Sequence, residues 1–262
     1  MILRIFRSRT FTILSFSGIL SLMACSKSEN NQTIVPPATY SSLQLSFSNY
    51  VGNVPLQRNA GTYTNAARET YTISKFLYYI SNFQLVDSSG KVTTLPPRYF
   101  LVDDAIDSTK KIILDSVPVG RYTAIRWLIG VDSIRNVSGV QAGALAPENG
   151  MFWTWNSGYI MAKLEGNSPA APTALKEFQL HIGGFKFPYN ALKTVTLNLP
   201  VTAIVAKGTQ PKLSFRADAG KWLDAPNAIS FATTTIVMAA GTDALKIAEN
   251  YQQMFTVMTV AN

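Results

Sequence analysis

The chain reads as an all-β protein, a β-sandwich of immunoglobulin-like or Greek-key type with a long aromatic loop and a short C-terminal helix. Three observations carry that reading. Short segments in which apolar and polar residues alternate recur along most of the chain, separated by turn-forming Gly, Pro, Asn and Ser. A composition of 47% hydrophobic and 15% charged residues over 262 positions is enough to fill one large core. Helical periodicity shows only near the C-terminus.

The first strand is marked by Leu43, Leu45 and Phe47 alternating with Gln44 and Ser46. Residues 51–66 are turn-rich, through Gly52, Asn53, Pro55 and Gly61. Phe76, Tyr78 and Ile80 then share one face, while Phe83 and Leu85 fall on the opposite parity, which predicts a β-bulge near Ser81 and Asn82. Ser88-Ser89-Gly90-Lys91 turns the chain into a strand over 92–95, ended by Pro96-Pro97. Further strands are predicted over 99–102, 111–114, 122–131, 159–164, 177–182, 193–199 and 212–215, with Ile125, Trp127, Ile129 and Val131 pointing inward. The helix is predicted over 243–255, where Leu245, Ile247, Ala248, Tyr251, Met254 and Phe255 lie near helical spacing and Thr242 is placed to cap. Residues 132–158 lack a clear strand and are too many for an idle connection, so they read as functional or ligand-shaping.

The N-terminus is a targeting segment. Arg4, Arg7 and Arg9 precede a short apolar run, and Leu22-Met23-Ala24-Cys25 closes it in the manner of a bacterial lipobox. That likeness implies a signal peptide over residues 1–24, cleavage before Cys25 and acylation of its sulfur, with several acyl chains together giving a firm membrane anchor. Residues 25–39, polar and ending near Val35-Pro36-Pro37, read as a flexible tether, and residues 40–262 as one sandwich domain. The expected location is the outer membrane, facing the periplasm or the cell surface. Cys25 is the only cysteine, so once it is acylated no thiol remains and the folded part is expected to have no disulfide, no zinc–thiolate site and no cysteine nucleophile.

Loss of Arg4, Arg7 and Arg9 lowers the formal net charge from +8 to +5. The remaining basic residues are scattered, with no basic block and no ladder of bases and aromatics, so nucleic acid is not an expected partner. Enzymatic machinery is also not expected. One histidine, His181, would have to serve any Ser-His-Asp arrangement, and no Gly-x-Ser-x-Gly elbow is present. Asp103, Asp104 and Asp107 on one turn have the chemistry for calcium but read first as solvated turn formers, and Asp132 with Asn136 offers a second pair of oxygen ligands.

The most distinctive stretch is Asn149-Gly150-Met151-Phe152-Trp153-Thr154-Trp155-Asn156-Ser157-Gly158-Tyr159. Period-two alternation puts Met151, Trp153 and Trp155 on one side of an extended segment. Paired indoles serve either as a packed aromatic cluster or as a place where tryptophan is oxidised, meets a partner or helps hold a metal. His181 lies on the opposite face of its segment from Phe178, Leu180 and Ile182, off the main core face. Its imidazole, with thioether sulfur from Met151 or Met161 and an indole face, has the softness that suits Cu(I).

Together these residues resemble a known family. Gly130-Val131-Asp132-Ser133, Asn136, the tryptophan stretch, Lys163-Leu164-Glu165-Gly166 and Phe178-Gln179-Leu180-His181-Ile182-Gly183-Gly184 look like the MbnP-like family of copper-binding proteins. Tyr78-Tyr79-Ile80-Ser81-Asn82 and Asp218-Ala219-Gly220-Lys221-Trp222 support the likeness, which spans nearly all of the domain. The resemblance implies an exported, mainly β domain in copper handling beside a diheme cytochrome c peroxidase-like partner. In such systems the partner oxidises a tryptophan to kynurenine, which joins histidines in a Cu(I) site. With one histidine this chain departs from a multi-histidine pattern, and Trp153 and Trp155 are the expected modified or partner-facing residues. The alternative is a non-metal interaction module whose aromatic loop binds a protein partner or a glycan by stacking.

Overall fold

A computed structural model describes residues 39–139, 141–153 and 158–262. The proposed signal peptide, Cys25, nearly all of the tether, and Trp155 lie outside the described residues.

Alternation becomes burial along the first strand: Tyr40–Val51 sends Leu43, Leu45 and Phe47 inward. It pairs in parallel with Lys212–Asp218 and antiparallel with Lys111–Pro118. Phe255–Ala261 adds to the far side of Lys212–Asp218, completing with Val54–Pro55 a sheet of five strands. The second sheet, of ten strands, is built on the 18-residue strand Thr70–Asp87. Its first part pairs with Gly158–Asn167 and its second with Gly120–Ile129. Glu177–Gly183 extends the sheet beyond the former and Lys193–Val205 beyond the latter. The protein is therefore an all-β sandwich.

The register of Thr70–Asp87 shifts between Ser81 and Gln84, and Asn82 takes a φ of 53°, so the bulge lies where the change of parity places it. The Asp87–Lys91 hairpin also closes as expected, with Gly90 at φ 84°. Where the two sheets face each other, Trp127 is fully buried among Phe47, Phe83, Phe215 and Phe255. Ring centroids there lie 5.0 to 6.3 Å from the indole, mostly edge to face, the arrangement that aromatic quadrupoles favour.

The C-terminus differs from expectation. The helix covers Thr242–Tyr251, begins after Gly241 rather than with Thr242 as its cap, and stops short of Phe255. Phe255 instead opens a strand opposite Ala217 and packs on Trp127. Burial of a large ring between the sheets outweighs one more turn of an otherwise short helix.

Candidate functional site

The loop that follows Gly120–Ile129 leaves the sheet where the long strand exchanges one neighbour for another. Gly130 makes that exit at φ 113°, where an added Cβ would lie 2.8 Å from the Met161 sulfur. Only glycine fits both the turn and the contact. The Val131 N–H donates to Met161 Sδ at 3.3 Å. Asp132 caps the short helix Ser133–Asn136, accepting the Arg135 N–H at 3.2 Å through Oδ1. Its Oδ2 accepts from Asn82 at 2.8 Å and from the Tyr99 hydroxyl. Burial pushes the Asp132 carboxyl up, yet the Tyr99, Asn82 and backbone hydrogen bonds prevail and hold it below its usual range. Buried Asn136 donates to the Val131 and Asp132 carbonyls and accepts the Tyr159 N–H at 2.9 Å. Asp132 and Asn136, expected as oxygen ligands, thus have their side-chain oxygens engaged by protein donors at a structural joint.

Beyond the joint, the loop covers the outer face of the larger sheet and is fastened through its carbonyls. Tyr79 and Tyr159 donate their hydroxyls to Ala144 and Leu145 at 2.8 Å each, and the Lys163 ammonium donates to Gly150. The two tyrosine rings meet edge to face at 5.8 Å. Burial pushes the Lys163 amine below its ordinary pKa, against the opposing pull of Glu165.

His181 lies on this same face, opposite Lys163 in the ladder between Gly158–Asn167 and Glu177–Gly183. Its Nε2 is 2.8 Å from Glu165 Oε1, and Glu165 Oε2 is 2.9 Å from Lys75. The hydrogen bond from His181 is the main reason the Glu165 carboxyl is held down to about 2, with burial opposing and Lys75 assisting. With Nε2–H donating to this carboxylate, the lone pair of a neutral ring is on Nδ1. A carboxylate that fixes the tautomer in this way is the usual companion of a metal-binding imidazole.

Trp153 is 2% exposed, so the indole is not displayed on a loop. It lies on Gly183, where an added Cβ would meet the ring at 2.3 Å. One side of it nevertheless borders a cleft of about 380 Å³, lined also by Gly158, Phe185, Phe187 and Tyr189. Met151 and Met161 are fully buried, and the Met161 sulfur accepts the Val131 N–H. Among the described residues no group of three or more His, Cys, Asp and Glu side chains is placed to hold a metal ion. Asp104 is taken up by Asn49, Arg58 and Lys110, Asp107 pairs with Lys110, and Asp103 accepts the Ala105 N–H, so each carboxylate of this acidic turn has a protein partner.

Against this geometry, a family model described as MbnP matches residues 40–240. The chain belongs to the MbnP family. Membership makes it a copper-associated protein. A solved structure, MbnP from Methylosinus trichosporium, is similar over 79% of this chain and 84% of its own, at 15% identity and a TM-score of 0.49. No curated protein matches significantly.

In this MbnP-family chain, sequence reasoning named Lys163 and Glu165 only as part of the family likeness and did not name Lys75 at all. Lys163 and Glu165 alternate as Gln179 and His181 do, which marks two strands with polar residues on the same parity. Their pairing in space follows only from the register.

Proposed function

We propose that this protein is a non-enzymatic, exported outer-membrane lipoprotein. In this reading it binds or delivers copper together with a diheme cytochrome c peroxidase-like partner that oxidises a tryptophan. The observation that carries the metal-binding part is His181, oriented by Glu165 on the face covered by the aromatic loop. Its Nδ1 would be the principal ligand. Met151 and Met161 belong to the proposed set by their soft sulfur; both are fully buried, and the Met161 sulfur accepts the Val131 N–H. Of the three tryptophans among the described residues, Trp127 and Trp222 are fully enclosed, while Trp153 borders a solvent cleft. Trp153 is accordingly the described tryptophan proposed for oxidation.

Anaerobic Cu(I) titration of the purified protein tests the metal reading. One equivalent should bind, His181→Ala should abolish it, and Glu165→Gln should weaken it by about 10- to 100-fold, the usual effect of removing such an orienting partner. Absence of stoichiometric binding, or binding indifferent to His181→Ala, removes the ligand role. After co-expression with the diheme partner, peptide mapping should find loss of one carbon and gain of one oxygen in the peptide holding Trp153. An unaltered peptide removes the oxidation. Acyl labelling that persists in Cys25→Ala would overturn the anchor.

A further inference from the structure

We propose that the surface made by residues 133–138 and 185–189 is a docking site for a protein partner that presents acidic side chains around an apolar centre. The inference goes beyond the copper reading, since it requires neither bound metal nor an oxidised tryptophan. Four apolar side chains stand in solvent on these two segments: Phe187 at 96% exposure, Ile134 at 76%, Val137 at 66% and Tyr189 at 41%. The segments adjoin, with the Ser133 hydroxyl donating to the Phe185 carbonyl at 3.3 Å. Scattered single apolar residues on a surface are ordinary, whereas a cluster on adjoining loops marks an interaction site.

The surrounding charge identifies the partner's chemistry. Arg135 and Lys186 belong to the two segments, and Lys193 begins the strand that leaves the second. Asp243 is paired with Lys246 at 3.6 Å, while Asp132 keeps its charge because its partners Asn82 and Tyr99 are neutral. Arg135, which lies over the Tyr99 ring, Lys186 and Lys193 outnumber that one carboxylate, so the rim is net positive, which complements an acidic face and disfavours a basic one. An anionic bilayer shares that chemistry, and the identity of the crosslinked adduct in the test below separates the two.

The test is a photo-crosslinking residue placed at Phe187 in the full-length protein in its native cells, with the same residue at exposed Val201 as control. The expected result is an adduct with one identified protein, mapped to an acidic segment, formed from position 187 and not from 201. Arg135→Glu with Lys186→Glu should lower its yield about tenfold or more, while the thermal midpoint stays unchanged. No protein adduct, equal adducts from both positions, indifference to charge reversal, or adducts only with lipid or glycan would each overturn the proposal.

Discussion

Two regions of this molecule are held by different means. Between the sheets, Trp127, Phe47, Phe215 and Phe255 make contacts that require little beyond apolar area and ring geometry. Over the outer face of the larger sheet, the loop around residues 143–150 is held by single hydrogen bonds from Tyr79, Tyr159 and Lys163 to main-chain carbonyls. The first region tolerates no vacancy, because the loss of a ring leaves a hole that close-packed neighbours fill only in part. The second can be opened at one fastening without disturbing the first. It is also the region where ionisable groups gather, with His181, Glu165, Lys75 and Lys163 on one face. The difference teaches that close aromatic packing and ionisable groups are assigned to opposite faces of the same sheet.

The largest expected effect breaks the inner region. Trp127→Ala should cost about 3–5 kcal/mol in urea unfolding, as large-to-small changes of buried aromatics do. Protection against hydrogen exchange should fall across both sheets together. Next comes the joint of the outer region: Asn136→Ala strips partners from the Tyr159 N–H and the Val131 carbonyl and should cost about 2–3 kcal/mol. Here exchange should quicken first at residues 132–153. Uniform quickening throughout the domain would show that cover and core are one cooperative unit and would end the comparison.

Acid sharpens it further. The folded pKa of Glu165 lies below its ordinary value of 4.5, at about 2. Its stabilisation is therefore fully present above about pH 4.5 and is lost as pH falls through about 2. After allowance for partial solvent screening, the effect is on the order of 1–2 kcal/mol. Glu165→Gln should flatten that part of the stability profile, and an unchanged slope between pH 4.5 and 2 would place the acid sensitivity elsewhere. Tyr79→Phe removes one hydroxyl and should cost about 1 kcal/mol, read as faster exchange near Ala144 with little change in the core.

What was legible in the sequence divides along the same line. Ile125, Trp127 and Ile129 declare their face by alternation alone, and the bulge after Ile80 shows itself because Phe83 and Leu85 change parity. Such signals are local. The final strand was hidden because Met254 and Phe255 continue the helical spacing of Ile247 and Tyr251, and no Gly or Pro interrupts Gln252-Gln253. At the site, His181 could be seen to lie off the core face, but its partnership with Glu165 depends on a cross-strand register that shifts between Ile160 and Ala162. Asp132 and Asn136 offer oxygens that suit a metal or an N–H group alike, and only the fold shows them accepting from main chain, Asp132 as a helix cap and Asn136 from Tyr159.

The smallest expected effect concerns a side chain that belongs to neither region. Phe187 is 96% exposed and makes no demand on the core, so Phe187→Ser should alter stability by no more than about 0.5 kcal/mol. An aromatic ring in water yields none of the burial energy that a core ring does, and its removal leaves no cavity. A measured loss above 1.5 kcal/mol would mean that the ring packs in solution against the cleft beside Trp153, placing Phe187 with the fold rather than with a partner. A neutral result leaves stability unable to account for a phenylalanine at this position, so whatever the ring contributes must be sought in binding.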